Sequence, residues 1–390
     1  MTKVISSVRF DIADSFNGLI NSSSDAVFVE QESAADYKTN SSRHTLTAPH
    51  ETLSDLLASQ SGCSFLQEVI SIPSLLVHKL HCAAIYPGKI RLRKDNWHKH
   101  GQLVLTSNNA LFPGSYGVMD GRHTLPSDLL TPSDTKGNYR LLQSKPKKFL
   151  KGHYLFLGSM HDHFGHFLVE GLARLWILKY FTDIELTNLR IIIYEPGLIP
   201  PATKILEYLG INKSQFEFLS EPCIVESLIA PGVGYCTHLW ARDVMNFVFD
   251  RVANAAISER ATNFPKKVFF SRNNVPARKL KDELALESIY REAGYWILRP
   301  EELPIGDQIR IAANADSIAG CTGSNMYLAL FQKPHGNNHV YAPFDFTLKD
   351  DAIISQLRNS RLHYVVGSRL SANQWTLDTT SALKILKDQA

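Results

Sequence analysis

Cysteine is scarce and unpaired in this sequence: five in 390 residues, at Cys63, Cys82, Cys223, Cys236 and Cys321, with no CxxC spacing. That pattern excludes a disulfide framework and a cysteine zinc site. Long apolar runs are also lacking. Nothing approaches the ~18 consecutive apolar residues that read as a membrane span. The opening MTKVISSVRFDIADSFNGLI carries charges where a secretory leader would be apolar. These absences point to a cytosolic, reducing compartment, where the sequon-like triplets at Asn21 and Asn40 carry no meaning. Nor does one sign of charge dominate: Lys+Arg 41 stand against Asp+Glu 38, a formal +3. With no long basic run and no RNA-binding aromatic motif, nucleic acid is excluded as a partner. The small cluster Lys145, Lys147, Lys148 and Lys151 reads as a solvated loop.

What is present suits a globular α/β protein long enough for two domains. Residues 1–60, rich in Ser, Asp, Asn and Thr, read as an irregular N-terminal extension, with a helical patch near 53–57. Residues 61–260 read as a first α/β domain. They open with β-rich runs over 65–112 and a loop-like stretch over 113–148, and end in a helix over 241–260. Residues 261–390 alternate more cleanly, with strands at 267–270, 295–298, 317–319, 339–341 and 363–366 and helices between them. The last helix, near 379–388, is a candidate to pack back on the first domain. Such βα alternation with short turns predicts parallel sheets covered by helices, with ligands outside the carboxyl ends of the strands. Two units joined near residues 255–265 predict a cleft between them.

One stretch concentrates ionisable groups: HYLFLGSMHDHFGHFLVEGLARLWILKY, from His153 to Tyr180. Phe164, Phe167, Leu168, Gly171, Leu172, Leu175 and Leu178 recur at helical spacing. At roughly 100° per residue, His163, His166, Glu170 and Arg174 share the opposite, polar side. A solvated face with histidines capping nearby backbone is the plain alternative for any one of them.

Two strand ends in the second half suit phosphate. After KVFF come Ser271, Arg272, Asn273, Asn274, Val275, Pro276, Ala277, Arg278 and Lys279. Guanidinium forks match phosphate oxygens, and a following helix adds backbone donors. Gly320, Cys321, Thr322, Gly323, Ser324 and Asn325 form a glycine-rich turn before a helix expected at 324–331. It lets backbone approach an anion closely but lacks the lysine and spacing of a P-loop. Glu301 and Glu302, after the YWILRP strand, suit ribose hydroxyls or cap the next helix.

The ordered set GHFLVEGLARL, VFFSRNNVPARKL, the Glu-Glu-Leu-Pro turn and IAGCTGSNMYLALF resembles glycosyltransferase family 61 over roughly residues 100–345. Gly165, His166, Glu170 and Arg174 match its first block, Ser271, Arg272 and Arg278 its second, Gly320, Gly323 and Phe331 its third. Where the family has histidine in the turn this chain has Thr322; Leu328 replaces a later asparagine and Ala173 a proline. The resemblance implies a GT-B-like fold, two Rossmann-like domains facing a central cleft. It also implies inverting sugar transfer from a nucleotide-sugar donor, with no cofactor and no obligatory metal.

On that basis His166, oriented by Glu170, is the expected general base, with Asp162 and His163 in reserve. Ser271, Arg272, Arg278, Gly320, Thr322, Gly323, Ser324, Asn325 and Glu302 are the expected donor site. The expected acceptor is a glycan or lipid-linked glycan such as a capsule precursor, met in the cytoplasm or at the inner face of the membrane. Two other readings stay open: a metal-dependent hydrolase built on the cluster His161 to Glu170, and a non-catalytic nucleotide-sugar or glycan binder.

Overall fold

Short runs of β-branched and aromatic residues assemble into two eight-stranded sheets in the computed structural model. The structure describes residues 2–3, 11–29, 36–38, 44–47, 69–91, 98–112, 118–119, 122–123, 129–132, 138–158, 160, 163–194, 198–260 and 264–387. The chain divides into two compact units, Met1–Ala35 with Pro73–Thr237, and Asp36–Ile72 with His238–Ala390. The protein is therefore mixed α/β, as its patterning predicts.

The first unit contains strands β1 (Asp11–Ile12), β2 (Ala26–Val29), β3 (Leu76–Arg91), β4 (His98–Leu105) and β5 (Lys148–Phe156). It continues with β6 (Arg190–Tyr194), β7 (Phe216–Leu219) and β8 (Cys223–Pro231). Their order is β7-β6-β5-β8-β3-β2-β1, with β4 on β3. The strands from β7 to β8 run parallel, and β3 is antiparallel to β8, β2 and β4. Leu155 registers with Ile229, which brings the carboxyl ends of β5 and β8 side by side. Leu80, Val104, Tyr154, Ile192 and Leu228 are buried together in its core.

The second unit carries β9 (Lys267–Phe270), β10 (Trp296–Leu298), β11 (Ser317–Cys321), β12 (Asn337–Pro343) and β13 (Arg361–Ser371). Helices α1 (Glu283–Glu292), α2 (Ile305–Asn314) and α3 (Lys349–Leu357), with a 3-10 turn at Met326–Phe331, connect them in sequence. The parallel strands lie in the order β10-β9-β11-β12-β13, a 2-1-3-4-5 doubly wound sheet. In this topology the strand order reverses between its first and third strands, which leaves a crevice at their carboxyl ends. Here those strands are β9 and β11, and Phe270 registers with Gly320.

Some sequence expectations change. Residues 1–60, read as an irregular extension, give β1 and β2 to the first sheet, and their strand His44–Thr47 runs parallel to β13 in the second. The pairings with β3 and β13 span long sequence separations, so local composition carries no trace of them. The expected helical patch at 53–57 lies outside the described residues. Helix Met245–Glu259, expected in the first domain, falls in the second unit. The last helix, Thr380–Lys387, places Ala382 and Ile385 in the core of its own unit together with Leu286 and Tyr290.

Candidate functional site

The histidine-rich stretch is not one regular helix. Three α-helical residues, Phe164–His166, pass into a π-helical turn, Phe167–Gly171, and then a 3-10 turn, Leu175–Tyr180. A π turn spaces its hydrogen bonds five residues apart and often marks a functional position; here Leu172 N–H donates to Phe167 O at 3.1 Å. The distortion keeps Phe167, Leu168 and Val169 all fully buried. It also takes Arg174 off the polar face. Its guanidinium is buried, donates to the Pro231 carbonyl and lies over the Phe156 ring. Burial pulls its pKa down to about 10. Trp176 Nε1 donates to Gly232 O at 2.9 Å, so the stretch is fastened to the carboxyl end of β8.

His166 and Glu170 remain together on the outward side. His166 Nδ1 lies 2.7 Å from Glu170 Oε1, with the side chains 30% and 17% exposed. A carboxylate accepting from Nδ1–H fixes the tautomer that carries its lone pair on Nε2, the arrangement a general base needs. His163 packs edge-on to His166, ring centroids 5.2 Å apart. Asp162 and His161 lie outside the described residues. Among the described residues no group of three or more His, Cys, Asp or Glu is placed to hold a metal ion.

In the second unit the expected donor residues divide into two sets. Ser271 and Thr322 face inward. Ser271 is fully buried and donates to Glu287 Oε1 at 2.8 Å, while Thr322, also buried, donates to Asp351 Oδ2 at 3.0 Å. Both hold backbone in place and offer no hydroxyl outward. Arg272, Arg278, Gly323, Ser324 and Asn325 form the other set, at the β9–β11 crevice. Glu283, buried on α1, accepts the Arg272 backbone N–H at 2.6 Å and so fixes the corner after β9. Burial, the largest influence, raises the pKa of that carboxyl. The Arg272 guanidinium then reaches Asn325 Oδ1 at 3.2 Å. It crosses directly over Gly323, where a Cβ would sit 2.4 Å from Nη1. Only glycine, at φ +152°, admits it there. Gly320 is equally constrained, since a Cβ would lie 2.7 Å from the Phe270 carbonyl of the neighbouring strand.

Arg278 stands next to this pair, its guanidinium carbon 3.9 Å from the centre of the Phe346 ring. Burial first, and the charge of Arg272 second, lower its pKa. Among the described residues neither arginine forms a side-chain ion pair with a carboxylate, and Arg278 Nε is buried without a hydrogen-bond partner. Two guanidiniums that repel each other at a crevice mouth form a site for an anion. Glu302 follows β10 on the exposed side, accepting from Asn274 Nδ2 at 3.1 Å and lying 3.7 Å from Arg299 Nη1. The helix expected at 324–331 is only the 3-10 turn Met326–Phe331, so the turn's own backbone, not a helix terminus, faces the crevice.

Sequence reading missed the carboxylates that support this site. Glu283 and Glu287 are four apart on the inward face of α1, a signal visible in the pattern, while nothing in the sequence singles out Asp350 and Asp351 at the start of α3. Both aspartates are buried. Burial, above all, pushes the Asp351 carboxyl up to about 7, against which the Thr322 hydrogen bond acts. An unfolded aspartate titrates near 4. Between those values the folded chain holds a proton that the unfolded chain has released, so stability falls as pH rises from about 4 to about 7. The effect is on the order of 4 kcal/mol at most. Asp351→Asn, which keeps an acceptor for Thr322, is expected to reduce the drop in melting temperature between pH 5 and pH 8. Differential scanning calorimetry of both proteins checks this; identical drops would show that Asp351 does not carry the proton.

A π-turn histidine–carboxylate pair and an arginine pair over a glycine turn now stand at two defined places in the chain. One family model spans both. Residues 164–338 match the family Glycosyltransferase 61. The match starts at Phe164, takes in His166 and Glu170, and ends in β12, beyond the glycine turn. The resemblance carried by the sequence motifs is thus supported over the segment that holds both clusters. No curated protein matches the chain.

Proposed function

We propose that this chain is an inverting glycosyltransferase that moves a sugar from a nucleotide-sugar donor to a hydroxyl of a glycan or lipid-linked polysaccharide precursor. The observation that carries the reading is the Arg272–Arg278 pair, without a side-chain carboxylate ion pair among the described residues, at the reversal point of a doubly wound sheet. The family match supports sugar transfer in general. In the proposed reaction the guanidiniums and the backbone of the glycine turn take the charge that develops on the departing diphosphate, an electrostatic stabilisation of the kind worth most at a fixed site. Glu302, after the second strand in chain order, takes the ribose, by analogy with the acidic residue of dinucleotide-binding folds. His166, oriented by Glu170, takes the proton of the acceptor hydroxyl. A GT-B-type enzyme is the fold-level form of this proposal, with the residues around Arg272 as its donor site. No metal step is required by it, and the reaction is placed in the cytoplasm, at or near the inner face of the membrane.

A thermal-shift panel of UDP, GDP, CDP, ADP and their sugar conjugates, run with and without EDTA, tests it. A ligand that binds only the folded chain stabilises it by mass action, by about 2.7 kcal/mol at a hundredfold excess over Kd, and so raises the melting temperature. At least one nucleotide is expected to raise it, equally in EDTA. If none did, the donor site would be wrongly assigned; binding without turnover on any acceptor would leave a non-catalytic binder.

A further inference from the structure

Arg278 is fixed at two ends by two different elements of the second unit. At the backbone its φ is +53°, in the left-handed region that non-glycine residues seldom adopt. Trp375, itself buried, donates from Nε1 to the Arg278 carbonyl at 2.9 Å. The next residue begins the short strand Lys279–Leu280, which pairs with Gln374–Thr376. Backbone strain of this kind persists only where the surroundings over-determine it, and it clusters at ligand sites.

The side chain is held by the turn after β12. The guanidinium carbon lies 3.9 Å from the centre of the Phe346 ring, so the cation sits on the ring face. That ring is anchored in turn. Phe346 N–H donates to Pro343 O at 3.0 Å, Phe344 N–H donates to Gly367 O of β13 at 3.0 Å, and Asp345 pairs with Arg369 of the same strand. The turn leaves the carboxyl end of β12, the sheet edge from which Arg272 and the glycine turn also rise. A carboxylate in the place of the ring would neutralise the guanidinium and occupy its fork. An aromatic face immobilises the cation and leaves its charge and its in-plane N–H donors for a ligand.

We propose that Phe346 is a positioning residue for the donor diphosphate: it holds the Arg278 guanidinium in place before the ligand arrives, so that binding does not have to order that side chain. The proposal rests on the nucleotide-sugar reading given above. Calorimetric titration with UDP, GDP, CDP and ADP identifies the tightest diphosphate, which is then compared with its own nucleoside. Phe346→Leu and Phe346→Met keep an apolar side chain and remove the π face, whereas Phe346→Tyr keeps the face. Either of the first two is expected to raise the Kd for the diphosphate about three- to tenfold. Phe346→Tyr is expected to bind as wild type does, and nucleoside affinity to stay near wild type in all three. In an Arg278→Ala background Phe346→Leu should add nothing, because the two side chains act as one unit. Wild-type diphosphate affinity in Phe346→Leu and Phe346→Met would overturn the assignment. So would equal losses for diphosphate and nucleoside, or the same loss with Arg278 already removed, each of which would leave Phe346 a packing residue. If the unaltered protein bound no diphosphate, the nucleotide-sugar reading would fall first and this one with it.

Discussion

Arg272→Ala is expected to weaken donor binding roughly 10- to 150-fold while leaving the fold intact. The corner that positions Arg272 is made by backbone: Glu283 accepts its N–H at 2.6 Å, and that bond survives truncation of the side chain. The truncation itself removes a hydrogen bond to Asn325 at 3.2 Å and a marginal one to Ala277 O at 3.5 Å, both at the crevice. Stability should therefore change by no more than about 1 kcal/mol. Binding should suffer more. A charged hydrogen bond to phosphate contributes about 1.5–3 kcal/mol, and a group stabilising developing charge accounts for roughly 10²–10³ in rate. Arg272→Lys is not expected to rescue, because lysine lacks the planar fork that spans Asn325 and a ligand oxygen together. Calorimetry with the best nucleotide from the panel, alongside a melting curve, separates the two effects. Unchanged nucleotide affinity in Arg272→Ala would remove the donor site from this crevice.

How much of this was legible in the chain depends on the range of the interaction that decided each feature. The strands of the second unit were readable because each is a short apolar run buried on both faces: Val268, Phe269 and Phe270 are 0–1% exposed. Their ends, and with them Arg272 and the glycine turn, followed from the parallel-sheet rule. Gly323 was singled out for its freedom to approach an anion; the structure adds a closer reason, the guanidinium lying across it. Arg174 was misplaced because a constant 100° step fails across a π turn, and because its partner, Pro231, is 57 residues away. Ser271 and Thr322 have the right chemistry for phosphate but turn inward to Glu287 and Asp351, 16 and 29 residues further on. No local pattern distinguishes a hydroxyl that meets a ligand from one that meets a buried carboxylate.

For the acceptor half of the reaction the decisive experiment is His166→Ala, expected to lower kcat by about 10²–10⁴, the usual contribution of a positioned general base. The geometry gives the expectation a second component. Glu170 Oε1 lies 2.7 Å from Nδ1, so in the proposed reaction it acts through the ring, as a positioning residue. Glu170→Gln keeps the size of the side chain but can present either its oxygen or its amide N–H to Nδ1. It therefore weakens the preference for the tautomer with its lone pair on Nε2. A smaller loss, about tenfold, is expected, and combining both substitutions should cost little beyond His166→Ala alone, because groups acting as a unit are not additive. Neither change should alter nucleotide affinity if the donor is held by the second unit. The fold should tolerate both, since the buried side of this turn is made by Phe167, Leu168 and Val169 and not by the pair itself. Transfer kinetics on the four proteins, with donor affinity measured in parallel, give the answer. Full activity in His166→Ala would move the base to His163 or Asp162. A loss of nucleotide binding would instead mean that this histidine serves the donor, and that the division of labour proposed for the two clusters is wrong.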